Sequence, residues 1–494
     1  MKVKRISLLI SLTLLGVVVN GQVRQPHSLY FMNTIPQVTQ MNPAFQPRAN
    51  GYVILPANIN ADFISDIAFK DAFQKHGNEW FSPIHEKYDY SKLYKSIGKE
   101  TTMFNSGTDW DIFGFGFRTK NGYLSFGLSE HFFSNTALPS DLFKVSDKGF
   151  PDQTSLDFSA TRTQMLAYMQ FNIGYSYKVN DNLTIGLNVK PLFGQMALET
   201  KINKFTLYTG EDQWDLDGRG NVYSSLPIDE IKLDSEGKID DIVWRDFDDY
   251  YGKDFVNDYF TAFRNPGIAF DLGAIYQINE RFDVSASLNN LGFISWKNDL
   301  NSISFNGKYK FNGVYFDASG DDDIGDLFSN LGDSIADAMN YVVKHNKFKT
   351  ALPPVFHAGV TYHLSKSISA GFLSRSVFWQ KGIRQSFNLS LNLQPYSFVA
   401  FNVNTTYQVK GNVYLGGGLM FFLGPLPLQF YILTDYAPVY YSTFRTKDGD
   451  DLGEKIPVLE RQKSVTLRLG LNLVFGRHGY QNKPMFDKKN CIWN

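Results

Sequence analysis

The chain has 494 residues, of which 43% are hydrophobic, 16% aromatic and 20% charged. Its 48 Lys and Arg residues nearly balance 49 Asp and Glu residues, and the formal net charge of −1 excludes the basic excess typical of nucleic-acid-binding proteins. After residue 20 no apolar run approaches the roughly 18 residues of a transmembrane helix, so helical membrane spans are excluded as well.

The N-terminus has the pattern of a secretory signal peptide. Basic residues precede an apolar run at 6–19, and the short residues that follow predict cleavage before Gln22. We therefore predict a signal peptide at residues 1–21, with an uncleaved membrane anchor as the alternative. Because Cys491 is the only cysteine, neither an internal disulfide nor a cysteine-based metal site can form within one chain.

Beyond residue 50 the chain has the period of two that is typical of β-strands. Apolar and polar residues alternate strictly in 169–178, 183–190 and 387–394. The clearest case is 465–475, in which Arg468 falls on the polar face. Further segments with this alternation are 267–277, 282–289, 355–364, 398–408 and 427–436. The pattern predicts an all-β fold.

The strand length favours a transmembrane antiparallel β-barrel over a soluble exported β-sandwich, which is the alternative. The alternating segments run for about 10 to 14 residues, long enough to cross a bilayer when tilted, whereas strands of soluble sheets average five or six. Many segments end in aromatic residues, which are typical of membrane interfaces. Their polar faces are rich in Gly, Asn, Ser and Thr, which suit a hydrated or plugged lumen.

Loop lengths predict the strand number. Short connections should lie on the periplasmic side and long loops outside. The predicted long loops are 64–109, 134–164, 201–264, 293–353 and 438–463. We predict a barrel of about 14 strands over 51–475, provided that Ser302 to Phe316 folds within an external loop. A hairpin turning at Asn306-Gly307 would instead give 16 strands.

Two of these loops have features of their own. Apolar residues from Ile324 to Val342 recur at helical spacing, which predicts a short amphipathic helix over the barrel mouth. Residues 201–260 carry 15 Asp and Glu against seven Lys and Arg. We interpret this region as a solvated acidic loop, although clustered carboxylates can also bind calcium. The run that begins at Asp215 lacks the ligand positions of an EF-hand.

The segment before the first strand, 22–50, contains Asn42, Pro43, Ala44 and Phe45. This placement resembles the Asn-Pro-Ala hatch of the FadL long-chain fatty-acid channel family and of its secretion-associated PorV-type relatives. In FadL the hatch plugs the lumen and a kink in a wall strand opens a lateral exit. The resemblance therefore implies that these four residues form a plug or gate. The alternative interpretation of Asn42-Pro43 is an Asn-capped turn that leads into a strand.

Three further motifs accompany Asn-Pro-Ala in the chain, and they are 112–118, 183–186 and 290–296. Together the four motifs are similar to a family of Bacteroidota outer-membrane barrels known only as a domain of unknown function. The resemblance covers most of the chain after residue 21. It implies an outer-membrane barrel without assigning a cargo.

Five charged residues on polar strand faces are candidate lumen residues: Lys190, Asp271, Asp283, Arg375 and Arg468. His357 and His363 share a polar face but stand about 20 Å apart, too far for one metal ion. No nucleophile elbow, His-Glu-x-x-His motif or phosphate-binding glycine loop occurs in the sequence. We predict no enzyme activity and no cofactor. Ser129-Glu130-His131 is a place to look for a hydrolase site, although adjacent residues on a strand point to opposite faces.

Two functions remain open. As a transporter, the protein would pass hydrophobic or amphipathic small molecules through a plugged lumen in the outer membrane, in contact with lipid and lipopolysaccharide. As a scaffold, it would dock a secretion or surface-assembly protein partner through its loops or through a periplasmic tail at 476–494. The FadL resemblance favours transport and the extensive loops favour the scaffold. No nucleic-acid partner is predicted.

Overall fold

The structure is a computed structural model. It describes residues 26–76, 79–81, 89–97, 101–148, 153–210, 213–233, 235, 239–244, 265–311, 341–379, 382–409, 413–423, 426–436, 442–448, 451–458 and 463–476. The predicted signal peptide, the tail after residue 476, Cys491 and the acidic run 246–251 lie outside the described residues. Within those residues, no helix has the length and apolar character needed to cross a membrane.

Strands dominate the described part of the chain. In chain order they are β1 (Gly51–Ile54), β2 (Asn58–Ser65), β3 (Gln74–His76), β4 (Glu79–Phe81), β5 (Thr101–Arg118), β6 (Gly122–Pro139), β7 (Thr154–Asp157), β8 (Arg162–Lys178), β9 (Leu183–Thr209), β10 (Trp214–Ser225), β11 (Ile228–Leu233), β12 (Ile239–Trp244), β13 (Asn265–Gln277), β14 (Phe282–Trp296), β15 (Leu300–Phe311), β16 (Tyr341–Lys344), β17 (Phe348–Ala351), β18 (Val355–His363), β19 (Ile368–Trp379), β20 (Gly382–Tyr396), β21 (Val399–Gln408), β22 (Val413–Phe422), β23 (Leu428–Thr434), β24 (Ser442–Asp448), β25 (Asp451–Val458) and β26 (Ser464–Phe475). Short helices cover His27–Tyr30, Phe69–Ala72, Tyr90–Ser96 and Ser140–Lys148, and a 3-10 helix covers Pro36–Gln40.

Antiparallel pairing closes a barrel of fourteen wall strands. The first wall strand is β1 followed by β2, and the others are β5, β6, β8, β9, β13, β14, β18, β19, β20, β21, β22, β23 and β26. The last strand pairs with the first, with Gly51 opposite Phe475 and Ile59 opposite Leu469. The predicted all-β transmembrane-type barrel of 14 strands is therefore confirmed. The 16-strand alternative is wrong, because β15 pairs with β10 and β16 beyond the wall.

Side chains alternate between the outside and the lumen as the period of two requires. In β26, Leu467 is 40% exposed on the outer face whereas Arg468 is 1% exposed inside. Other exposed apolar side chains on the outer face are Ile173, Ile185, Leu187, Phe270, Leu272, Leu389, Leu391, Val403 and Leu415. The inner face carries buried polar residues such as Ser176, Asn188, Asn388, Asn402 and Thr466. The arrangement of apolar side chains outside and polar side chains inside is the reverse of that in a soluble protein.

The two ends of the barrel differ. Short turns join β5 to β6, β8 to β9, β13 to β14 and β18 to β19 at one end, which we call the short-turn rim. The strands enter at Gly51 and leave at Phe475 on this same rim. Exposed tyrosines lie next to it, at Tyr177, Tyr276 and Tyr396. The opposite end, the long-loop rim, carries the longer connections.

Wall strand β9 continues beyond the long-loop rim and pairs there with further strands in a sheet that we call the extension. It consists of β7, the end of β9, β10, β15 and β16. Its own apolar core includes Leu156, Leu207, Trp214, Leu216 and Phe305. The side-chain hydrogen bond from Lys204 to Asp217, at 2.6 Å, holds the pKa of the Asp217 carboxyl below its usual value.

Strands and short helices occupy parts of all five intervals predicted as long loops. β5 begins at Thr101, within 64–109, and a helix follows β6 within 134–164. β9 and β10 fill the start of 201–264, β14 and β15 enter 293–353, and the hairpin β24–β25 lies in 438–463. Strand pairing continues beyond the membrane-facing band of the barrel. Strict alternation of apolar residues is not required there, so the sequence pattern does not reveal these strands. Most of the predicted helix from Ile324 to Val342 lies outside the described residues, and Val342 itself belongs to β16.

Candidate functional site

Residues 26–50, which we call the N-terminal segment, lie inside the barrel. Leu29, Ile35 and Met41 of this segment are at most 1% exposed. They belong to one apolar cluster with the inward side chains Leu373 and Leu433 of the wall. Burial of this apolar surface stabilises a compact segment that fills part of the lumen.

Amide side chains fix the middle of the segment to the seam of the barrel. Gln37 donates from Nε2 to Asn58 Oδ1 at 3.0 Å and to Asn472 Oδ1 at 2.8 Å. Asn472 Nδ2 donates in return to Gln37 Oε1 at 3.0 Å and to Gln429 Oε1 at 3.0 Å. Gln429 Nε2 then donates to the carbonyl oxygen of Thr34 at 2.8 Å. Each buried amide in this network has a partner, which is the condition for a polar network to stabilise an interior.

The two ends of the segment are also anchored. His27 Nδ1 lies 2.5 Å from Asp435 Oδ2, and its Nε2 lies 2.9 Å from Ser386 Oγ. Near the other end, Arg48 Nη1 donates to Gln394 Oε1 at 2.5 Å. Arg118 of β5 donates to the carbonyl oxygen of Pro47 at 2.6 Å. The segment is therefore held at its start, middle and end.

Asn42 forms the turn of the Asn-Pro-Ala motif and ties it to the wall. Its Oδ1 accepts from the backbone N–H of Ala44 at 2.9 Å, which is an Asx turn. Its Nδ2 donates to the carbonyl oxygen of Ala286 at 3.1 Å, on β14. Asn42 is completely buried and Ala44 is completely buried.

Two wall glycines accommodate this turn. A Cβ atom on Gly186 of β9 would lie 2.2 Å from the carbonyl carbon of Pro43. A Cβ atom on Gly273 of β13 would lie 2.0 Å from Asn42 Oδ1. Any larger residue at either position would displace the turn. Glycine at both positions therefore leaves room for the turn against the wall.

Phe45 extends the motif toward the short-turn rim. Its ring packs edge-on against Tyr30 with the centroids 4.8 Å apart. The Tyr30 hydroxyl lies 2.9 Å from Ser285 Oγ on the wall. Phe45 thus connects the motif to the helix at the start of the segment.

The predicted lumen charges Lys190 and Asp271 form a buried ion pair, with Nζ and Oδ2 2.6 Å apart. Lys190 Nζ also donates to Asn290 Oδ1 at 3.0 Å, and the N–H of Asn290 donates to Asp271 Oδ1 at 2.8 Å. Asn290 lies in a bulge of β14 with φ 62°. Such an αL conformation is tolerated by Asn better than by most residues.

Arg468 pairs with Asp111, a residue that the sequence did not single out. Its Nη2 lies 2.9 Å from Asp111 Oδ2, and its Nε donates to the Tyr431 hydroxyl at 3.2 Å. Gln40 of the N-terminal segment accepts from Arg468 Nη2 at 3.0 Å. The strand alternation of Asp109 and Asp111 around the exposed Trp110 is the signal that could have identified these inward carboxylates.

The other two predicted charges are placed separately. Asp283 lies near the short-turn rim, where its Oδ2 is 2.7 Å from His363 Nε2. Arg375 is 3% exposed and stands next to His357 in the register of β18 and β19. The structure therefore brings together only one predicted pair, Lys190 with Asp271.

The hydrolase candidate Ser129-Glu130-His131 separates onto two faces. Ser129 Oγ donates to Asp111 Oδ1 at 2.9 Å, and His131 Nδ1 lies 2.5 Å from Asp109 Oδ1. Glu130, between them, accepts from Gln195 Nε2 at 3.3 Å. Serine and histidine thus have different carboxylate partners in place of a shared relay.

No metal site emerges from the part of the chain that is described. Among those residues no three His, Cys, Asp or Glu side chains come close enough to hold an ion. Asp215 and Asp217 lie in the regular strand β10 and not in a loop. The acidic residues 246–251 lie outside the described range.

Two cavities flank the Asn-Pro-Ala turn. Cavity A, about 110 Å³, is bordered by the segment at Gln37 and 39–41 and by wall strands from β5 to β19. Cavity B, about 290 Å³, is bordered by residues 30–34 and 44–46 and reaches the short turn at 365–367. Met41, just before the turn, borders cavity A, and Ala44, at its end, borders cavity B.

The wall beside cavity A contains an unpaired stretch. β8 and β9 pair at Gln170 with Leu192 and again at Ile173 with Val189, but not in between. Pro191 lies in this stretch and has no N–H to donate. Lys190, its neighbour, lines cavity A.

A model of a protein family, described as "Family of unknown function (DUF5723)", matches residues 43–435. The chain belongs to this family. The matched region begins inside the Asn-Pro-Ala motif and includes most of the barrel. The resemblance to a barrel family of unknown function is thus confirmed at the level of the family.

Solved structures similar to the chain include several outer-membrane barrels. The toluene transporter TbuX of Ralstonia pickettii has 10% identity, with 90% of this chain and 94% of that chain covered and a TM-score of 0.41. The toluene transporter TodX of P. putida has 10% identity, coverage of 88% and 93%, and a TM-score of 0.38. A FadL homologue of Pseudomonas aeruginosa has 10% identity, coverage of 93% and 100%, and a TM-score of 0.42. No curated protein matches the chain.

Proposed function

We propose that the chain is an outer-membrane barrel through which hydrophobic or amphipathic small molecules pass without an energy source or cofactor, and that residues 26–50 act as its plug. The observation that carries this proposal is the N-terminal segment, which is buried in a closed barrel and hydrogen-bonded to its wall at both ends. A polar lumen without such a segment would conduct water and ions.

The outer surface supports a membrane location. A band of exposed apolar side chains surrounds the barrel, and exposed tyrosines lie beside the short-turn rim at Tyr177, Tyr276 and Tyr396. Aromatic girdles of this kind are typical of the two interfaces of outer-membrane barrels. Short turns and both barrel termini on one rim fit a periplasmic location for that rim.

The Asn42–Pro43 turn is the natural gate. It lies between Met41, which borders cavity A, and Ala44, which borders cavity B. Hydrogen bonds together with glycine contacts hold it against the wall. Each such hydrogen bond contributes only about 0.5–1.5 kcal/mol net, so a local displacement of the turn costs far less than unfolding of the barrel. Movement of this turn would join the two cavities.

A lateral route from cavity A is the path that suits apolar cargo. The unpaired stretch at Phe171-Asn172 and Lys190-Pro191 weakens the wall where it borders the cavity. Since the outer face at Phe171 is exposed and apolar, a molecule leaving there would enter lipid without crossing water. The Lys190–Asp271 ion pair lies on the inner side of this stretch and would act as its latch.

The first experiment is purification of the full chain from outer membranes in mild detergent, followed by mass spectrometry for bound lipids and proteins. We expect a bound hydrophobic molecule in the lumen. A stoichiometric protein partner with no such molecule would contradict the transport proposal.

Uptake by cells that express the barrel then tests the gate. Pro43→Gly and Phe45→Ala should change the uptake of a bound molecule identified in this way, because they loosen the turn and remove its contact with Tyr30. Phe205→Ala, in the extension, is the matched control because it also removes an aromatic contact, with Phe305. If the gate variants behave like the control, the gate proposal is wrong.

A scaffold for secretion or surface assembly is the second candidate, and the extension favours it. The extension has its own apolar core and therefore presents a rigid surface outside the barrel wall. A docking role predicts that the purified barrel retains a protein partner, and that substituting exposed residues of β10 or β15 releases that partner without loss of the lumen ligand.

A further inference from the structure

We infer that cavity A binds the uncharged, hydroxyl-bearing head group of an amphipathic ligand. This inference rests on the proposed function and names the class of molecule that the lumen takes. It is carried by four residues that line this cavity, each of which has a buried hydrogen-bond acceptor to which no described residue donates. The four residues are His131, Asn172, Asn289 and His357.

The hydrogen bond of His131 defines which of its nitrogens accepts. Its Nδ1 lies 2.5 Å from Asp109 Oδ1, and a carboxylate only accepts, so Nδ1 carries the proton. In the neutral ring Nε2 is then an acceptor. Among the described residues Nε2 of His131 has no hydrogen-bond partner.

His357 also carries its proton on Nδ1, and a different pair of hydrogen bonds determines this tautomer. The Ser287 hydroxyl donates to the carbonyl oxygen of Met41 at 2.8 Å, so its oxygen accepts from His357 Nδ1 at 3.1 Å. The Nε2 of this ring is consequently an acceptor as well. His357 is 2% exposed, and its Nε2 is without a donor in the described part of the chain.

Two asparagines complete the set. Asn289 Nδ2 donates to the carbonyl oxygens of Gln40 at 2.9 Å and Met41 at 3.2 Å, which fixes its amide orientation. Its Oδ1 is buried and receives no hydrogen bond from any described residue, and the same holds for Asn172 Oδ1. A buried acceptor without a donor is costly, so a ligand that supplies donors gains affinity at each of these atoms.

The charges around cavity A argue against an ionised head group. Asp109 and Asp111 line it together with Lys190 and Arg375, so the lining charges cancel. A carboxylate can only accept hydrogen bonds, so it cannot donate to these four acceptor atoms. Hydroxyl groups can donate to them. Apolar residues on the same cavity can contact an acyl chain, and they include Tyr52, Ile54, Phe133, Tyr168 and Leu352.

Three ligands with the same acyl chain test this inference: dodecanoyl glycerol, dodecanoate and methyl dodecanoate. Only the first has hydroxyl donors, and only the second is charged. The full-length barrel would be titrated in an amine-oxide detergent, which has no hydroxyl group, at about pH 8, where dodecanoate is ionised. Native mass spectrometry measures the fraction bound. We expect dodecanoyl glycerol to bind about tenfold more tightly than either of the others.

Variants place that preference in cavity A. His357→Phe keeps the ring beside Tyr30 but removes Nε2, and Asn172→Leu removes an acceptor with little change in volume. Each should reduce the preference for dodecanoyl glycerol at least about threefold. Asn392→Leu makes the same chemical change in cavity B and should leave the preference intact. Heat-modifiable migration on gels shows whether each variant is folded. If His357→Phe does not fold, Asn172→Leu alone tests the inference.

The outcomes separate the inference from the proposed function. Equal binding of all three ligands, or tighter binding of dodecanoate, would overturn the head-group inference and leave passage of hydrophobic molecules in place. A preference that survives in both cavity A variants would overturn it too. Failure of every ligand to bind would contradict the proposed function itself.

Discussion

Arg468 Nη2 lies 2.9 Å from Asp111 Oδ2, so an ion pair connects β26 to β5 across the intervening strand β2. Gln40 contacts both partners, because it accepts from Arg468 Nη2 at 3.0 Å and donates to Asp111 Oδ1 at 3.0 Å. The closure of the barrel and the position of the N-terminal segment therefore depend on the same group of side chains.

Arg468→Met should destabilise the barrel strongly. Both side chains of the pair are almost completely buried, with 2% and 6% exposure. Removal of the guanidinium leaves the Asp111 carboxylate buried without its partner, and the expected loss is about 3–5 kcal/mol in the free energy of unfolding. Urea unfolding in detergent micelles, followed by heat-modifiable migration on gels, measures this loss.

The double variant Arg468→Met with Asp111→Leu is the control for that prediction. Because it removes both charges, it should recover most of the stability lost in the single variant. A single variant as stable as the original protein would show that the pair does not matter for closure.

Gly273→Val should displace the Asn42–Pro43 turn. The new Cβ would lie 2.0 Å from Asn42 Oδ1 and 2.8 Å from Pro43 Cδ, so the turn must move. We expect faster hydrogen–deuterium exchange in peptides covering 38–48 and a changed uptake of hydrophobic cargo. Gly127→Ala is the matched control, because its Cβ meets its nearest neighbour, Asn172 Cβ, at an ordinary 3.8 Å. Identical exchange in the two variants would refute the proposed position of the turn.

Alternation in the sequence is sufficient to predict the barrel, and the loop lengths favour 14 strands over 16. A lipid-facing strand must place an apolar residue at every second position, and β26 does so from Val465 to Phe475. The extension could not be predicted in the same way. β9 continues to Thr209 by pairing with β10 and burying Leu207, and this depends on residues distant in sequence.

Alternation indicates which side chains of a strand share one face, but it does not predict their contacts across the lumen. Arg468 was expected inside, yet its partner Asp111 belongs to a strand with which β26 does not pair. The bulge of β5 at Ile112 also reverses the alternation, so Asp111 and Gly114 both lie on the buried face. The contacts of Asn42 depend on Gly186 and Gly273, which lie far along the chain and carry no side-chain signal.

Deletion of 464–475 should abolish insertion, whereas deletion of 480–494 should not. Residues 464–475 form β26, which pairs with β1, β2 and β23 and closes the barrel with Phe475 at its end. Membrane fractionation with heat-modifiable migration on gels reads out insertion. Equal loss from both deletions would contradict the view that the barrel ends at Phe475 and that a separate periplasmic tail follows.

The most direct test of the plug is the conductance of planar bilayers that contain the full-length barrel or a variant lacking 26–45. The full chain should conduct poorly, because its lumen holds the N-terminal segment, while the deletion should give steady openings of a water-filled channel. The triple substitution Lys204→Ala, Asp217→Ala and Lys310→Ala in the extension is the control and should conduct like the full chain. Equal conductance of the full chain and the deletion variant would contradict the plug.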